Sequence, residues 1–194
     1  MEDTSARYTC LAALAVALTL LGAAGAPPAP HVTGPPPGHT GGFGEPTCAV
    51  CHEGSDVNAF GGSVVLEGLP TRYSPGAKYV LTVVLTADET EAAGFQLAVR
   101  FSGGAGWGRS AGVFSPIDLR VAVTSGESGQ RYAHHTEVGS TVATDTGSSW
   151  SVEWLAPEKG GPVAFHVAAN SGNGDNSPLS DLVFVSQMIL APTR

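Results

Sequence analysis

Apolar and polar positions alternate along most of the chain beyond residue 62. Tyr79, Leu81, Val83 and Leu85 interleave with Val80, Thr82, Val84 and Thr86, and Phe95, Leu97 and Val99 form a second alternating run. Residues 118–124 repeat the pattern with Leu119, Val121 and Val123. Trp150, Val152 and Trp154 share one face against Ser149, Ser151 and Glu153, while Val163, Phe165 and Val167 oppose Ala164, His166 and Ala168. Successive strand side chains point to opposite faces, so a two-residue period predicts half-buried β-strands. Residues 182–190 are apolar on both sides at their start, which predicts a central strand. Residues 63–67 and 131–136 complete a set of about eight strands.

Turn-forming clusters divide these runs: Tyr73-Ser74-Pro75-Gly76, and residues 102–108, 157–162 and 170–178. No helix-period segment of useful length follows residue 26. Many short strands with turn signals and no helices specify an all-β fold, and an immunoglobulin-like antiparallel β-sandwich is expected ahead of a barrel. The usual inter-sheet disulfide has no cysteines to form it. The tryptophans, Phe165 and Phe184 must therefore fill the core.

The first residues change the picture of where the protein works. Residues 10–21 are an apolar run of twelve, too short to span a bilayer, and Ala24-Gly25-Ala26 fits a small-residue cleavage site. Residues 1–26 therefore read as a signal peptide, although Glu2 and Asp3 stand against Arg7 where a positive balance is usual. Residues 27–46 are rich in Pro and Gly and read as an extended linker. Residues 47–61 read as a loop and 62–194 as the sandwich domain. No later apolar stretch is long enough for a membrane span, and no C-terminal anchor is expected. The expected location is outside the cytoplasm: periplasmic, extracellular or associated with the cell surface. Seventeen acidic against nine basic residues give a net charge of −8, which argues against nucleic acid or an anionic membrane surface as partner.

Candidate chemistry concentrates in Cys48-Ala49-Val50-Cys51-His52. Cys-x-x-Cys-His is the attachment signature of c-type haem. Of three cysteines in the chain, the third, Cys10, lies in the signal segment. The expectation is one covalent haem c on Cys48 and Cys51, with His52 as proximal iron ligand. The chain then reads as an exported mono-haem c-type cytochrome engaged in electron transfer with a redox partner protein, and not as an enzyme with a substrate of its own. His135 is the first choice of distal ligand and His39 the second. His134, its neighbour on a strand, must face the other way. His31, His166 and Met188 rank lower, because His166 opposes the Phe165/Val167 row and Met188 alternates with core positions. Phe43, Phe60 and Trp107 are candidates to cover the porphyrin. Two other functions are carried alongside: a cell-surface or extracellular binding or adhesion module with a structural Cys motif, and a haem-based small-ligand sensor or peroxidase. A zinc site would need a fourth ligand. A redox disulfide would normally open a helix in a thioredoxin-like unit that is missing here. Asp175, Asn176, Ser177 and Asp181 could offer oxygens to calcium, but Asp and Asn are also the ordinary turn formers.

Several motifs in order carry a family resemblance: Gly-Glu-Pro-Thr-Cys-x-x-Cys-His from Gly44, Tyr-x-Pro-Gly from Tyr73, Gly-Phe-Gln-Leu from Gly94, His135-Thr136, Trp-x-Val-Glu-Trp-x-Ala-Pro from Trp150, Gly-Pro-Val-x-Phe from Gly161, and the loop Ala169-Asn170-Ser171-Gly172-Asn173-Gly174-Asp175. Together they resemble bacterial reeler-like domains of the choice-of-anchor V type, related to the N-terminal domain of reelin. The resemblance covers about residues 40–191. It implies an immunoglobulin-like fold and little about activity, because a fold does not dictate a function.

Overall fold

In the computed structural model the described residues are 31–142, 144 and 146–193. The expected signal peptide lies outside them. Eleven strands are present among the described residues: β1 (Glu53–Gly54), β2 (Gly62–Glu67), β3 (Arg72–Tyr73), β4 (Lys78–Ala87), β5 (Ala92–Phe101), β6 (Val113–Pro116), β7 (Val121–Ser125), β8 (Arg131–His135), β9 (Gly147–Leu155), β10 (Val163–Gly172) and β11 (Leu179–Pro192). A single helical turn, α1 (Glu137–Ser140), is capped by the Thr136 hydroxyl, which accepts from the Gly139 amide.

The strands form two sheets. The larger runs β1-β11-β10-β5-β8-β7, with β3 also on β11; the smaller runs β2-β4-β9-β6. All pairs are antiparallel except the short β1/β11 and β3/β11 contacts. This is the expected all-β sandwich. Its core lies between the sheets, where the alternation of each strand directs one face. From β9 come Trp150, Val152 and Trp154; from β10, Val163, Phe165 and Val167; from β4, Leu81, Val83 and Leu85. Trp154 packs edge-on against Phe165, ring centroids 4.9 Å apart, and also contacts Tyr73 and Tyr79. Both buried indoles keep a hydrogen-bond partner, as burial requires. Trp154 Nε1 donates to the Ala111 carbonyl at 2.9 Å, and Trp150 Nε1 to Gly139 at 2.8 Å.

Three details differ from expectation. Strands β1, β3 and β6 have two to four residues, too few to show a period. Residues 118–120 are a turn: Asp118 Oδ1 accepts from the Arg120 amide at 2.8 Å, and Leu119 points into solvent. The third is residues 31–46. They are not a free linker but a strap across the outer face of the larger sheet. His39 N–H donates to Gln96 Oε1 at 2.6 Å and Gln96 Nε2 donates to the Pro36 carbonyl at 2.8 Å, stitching strap to β5. Glu45 pairs with Arg100 of β5 and accepts from the Tyr132 hydroxyl of β8. Gly42 passes so close to β10 that an added Cβ would stand 2.3 Å from the His166 ring. Phe43 caps that ring edge-on at 5.3 Å. The strap covers polar outer-face residues which the alternation had correctly turned away from the core.

Candidate ligand-binding site

Beyond the Pro-rich part of the strap, Thr47 caps one turn of 3-10 helix, Cys48–Val50, through a hydrogen bond from the Ala49 amide. The Cys48 carbonyl then accepts from both the Cys51 and the His52 amides. That turn feeds directly into β1, whose parallel register on β11 sets Gly54 opposite Asp181. His52 is thereby delivered to Asp181, Nδ1 to Oδ2 at 2.5 Å. Asn170, on the adjacent β10, donates from Nδ2 to the same Asp181 oxygen at 3.1 Å.

On the other side, the ladder between β5 and β8 ends at the pair Gln96 and His134. The next amide, Phe95 N–H, donates to His135 Nδ1 at 3.1 Å instead. His135 Nε2 faces the His31 carbonyl at 3.1 Å. The neutral tautomer with its proton on Nε2 satisfies both contacts, and this tautomer is inferred from the network. Burial, above all, pushes the His135 pKa below its ordinary value, with the charges of His134 and His52 acting in the same direction. Gly94 makes room for the ring: a Cβ there would meet it at 2.6 Å.

Between these groups lies a cavity of about 150 Å³. The strap (His31, Val32, Pro35, Pro36, His39) forms one wall and the helical turn (Cys48, Cys51, His52) another. The ends of β5, β8 and β10 and the loop before β11 close the rest, with His135, Asn170 and Asp181 among the polar lining. The two expected attachment cysteines, Cys48 and Cys51, the expected proximal ligand His52 and the two preferred distal candidates, His135 and His39, all line this cavity. His134 is not among its lining residues; its Nδ1 contacts the His135 carbonyl at 2.7 Å. His166 is under the strap, and Met188 packs against the core. Phe60 is fully exposed, and Phe43 and Trp107 contact each other away from the cavity. Sequence reasoning missed Asn170 and the carboxylate role of Asp181. The signal available was a polar side chain set in the apolar run of β10 and another opening the apolar run of β11.

No family model matches the chain, and no curated protein matches it. Solved structures do. It is similar to the human F-spondin reeler domain, with 20% identity over 72% of this chain and 95% of that one, TM-score 0.47. The Reelin-N domain of F-spondin is similar at 18% identity over 76% and 96%, TM-score 0.47. A cohesin module of a Clostridium perfringens family 33 glycoside hydrolase is similar at 13% identity over 69% and 97%, TM-score 0.43.

The haem expectation is corrected by the site itself. Among the described residues no group of three or more His, Cys, Asp or Glu side chains is arranged to hold a metal ion. The physical reasons lie in the residues. Both ring nitrogens of His135, the expected distal ligand, are engaged by backbone. Burial, with a smaller contribution from neighbouring Cys51, pushes the Cys48 thiol up to about 12, so it stays protonated at neutral pH, which disfavours the zinc alternative, whose ligand would be a thiolate. A cavity of about 150 Å³ takes a single ring and does not enclose a porphyrin plate. Haem c, iron binding and electron transfer, with the cytochrome, sensor and peroxidase readings built on them, are withdrawn. Among the described residues no helix is long and apolar enough to cross a membrane.

Proposed function

We propose that the chain is an exported binding module whose recognition site is the cavity between the strap and the open ends of β5, β8 and β10. The division into a signal peptide (1–26), a strap and Cys-bearing turn (27–61) and a reeler-like sandwich (62–194) belongs to the same proposal. Membership of the bacterial choice-of-anchor V group rests on the motif resemblance alone. Cys48 and Cys51 then serve as parts of the turn that forms one cavity wall.

The observation that carries this reading is the cavity itself. Its size suits one ring, and apolar groups such as Val32, Pro35, Ala93 and Phe95 supply walls against which a ring loses contact with water. A few convergent polar groups at one end would orient the occupant. The test is a titration of the isotopically labelled protein with toluene, followed by amide chemical shifts. Shifts concentrated at His31, Gly94, Phe95 and His135 are expected. Shifts scattered over the smaller sheet, or none up to saturation with toluene, would reject the cavity as the site.

A further inference from the structure

Two residues that line the cavity each carry a buried oxygen with no hydrogen-bond partner among the described residues: Asp181 Oδ1 and Asn170 Oδ1. Asp181 is 4% exposed and Asn170 9%. Buried acceptors of this kind are rare, because each forfeits its hydration without compensation. The side-chain amide of Asn170 is oriented by its neighbour. Nδ2 donates to Asp181 Oδ2, so the amide oxygen is the atom left over. Asp181 is arranged in the same sense. Asn170 and His52 both approach Oδ2, and neither reaches Oδ1. Residue 172 is a glycine, so no side chain there touches the carboxylate; a Cβ would lie 3.4 Å from Oδ1, 3.5 Å from the Ala92 carbonyl and 3.6 Å from Oδ2.

We propose that these two acceptors receive the ammonium group of a small single-ring organic cation, whose ring occupies the apolar part of the cavity. This rests on the cavity being the binding site and names the class of ligand it takes. A protonated amine offers three donors on one nitrogen, enough for two orphan acceptors. A carboxylate acceptor makes the bond charge-assisted, and the low-dielectric setting strengthens it. A neutral ring would leave both oxygens unpaired. A metal ion fits less well: calcium wants six to eight oxygens, and the lining here is mostly apolar. The net charge of −8 also favours arrival of a cation.

The experiment compares benzylammonium, benzyl alcohol and toluene binding to the full chain at neutral pH and constant ionic strength, by calorimetry and amide shifts. Benzylammonium is expected to bind about tenfold to a hundredfold more tightly than toluene, with benzyl alcohol between them. Asp181→Asn should bring the benzylammonium preference to near parity while toluene binding persists. If that variant fails to fold, Gly172→Ala replaces it. Its Cβ enters the space beside Oδ1 in ordinary contact, so it should fold and weaken benzylammonium selectively. Equal affinity for toluene and benzylammonium would overturn the acceptor role and leave the cavity standing as a site. Tighter binding of calcium than of benzylammonium would overturn it too. Failure of all three ring compounds to bind would remove both proposals.

Discussion

At the scale of the residue, His135 has the clearest consequence for solution behaviour. Its pKa in the folded protein lies below the ordinary 6.5, chiefly because the ring is buried. The unfolded chain therefore binds a proton at a pH where the folded one does not. Its contribution to stability is present above about pH 6.5 and is lost as pH falls toward the folded value. Urea unfolding between about pH 8 and about pH 5 should show stability declining by up to about 1.4 kcal/mol per pH unit from this group. His135→Gln, which can keep an acceptor and a donor in place, should flatten that decline; an unchanged slope would assign it elsewhere. His166 shifts in the same direction, mainly through burial, with Arg100 adding to it. Sequence identified His135 as a site residue because the His135-Thr136 pair is one of the motifs that carry the family resemblance. It did not reveal that the imidazole substitutes for a strand partner of Phe95. That depends on where β8 departs from β5, which no local pattern encodes.

At the scale of the element, the strap decides most. A Pro/Gly-rich stretch without a period reads as a linker, since neither helix nor strand can be written onto it. Its order comes from contacts distant in sequence: Pro36 and His39 with Gln96, Glu45 with Arg100 and Tyr132, and Gly42 against His166. Gly42→Ala tests this directly. The added methyl group would overlap the His166 ring, so the strap must lift or the ring must turn. A loss of about 1–3 kcal/mol is expected. The emission of Trp107 should also change, because its Phe43 contact, 5.2 Å between centroids, would loosen. A variant as stable as the parent with unchanged Trp107 emission would mean the strap is not held there. The long strands were legible element by element, because each buries one face and the two-residue period records it. The short β1, β3 and β6 were not, since their pairing is imposed by the strands they join.

At the scale of the whole molecule, the two sheets share one aromatic core. Phe165 of the larger sheet meets Trp154 of the smaller one and is fully buried. Phe165→Ala should cost about 3–5 kcal/mol, the usual range for emptying such a position. Urea unfolding followed by tryptophan emission should remain a single transition, as expected for a domain whose sheets cannot persist apart. A biphasic curve would show that they unfold independently.

The sequence by itself determined the all-β sandwich, the core faces of its long strands and the outward face of His166. Burial of one strand face is a local requirement, and alternation writes it into neighbouring residues. It also marked His39, Cys48, Cys51, His52 and His135 as residues that belong together. Only the tertiary structure decided what they form. A motif names atoms that can make a bond. Whether those atoms are free depends on partners brought from elsewhere, as Phe95 and His31 engage both ring nitrogens of His135. Where a haem site was expected, the fold forms a small cavity lined by two residues whose acceptors have no partner among the described residues. Cavity volume and unpaired oxygens arise from packing between distant segments, so they become visible only once the chain is folded.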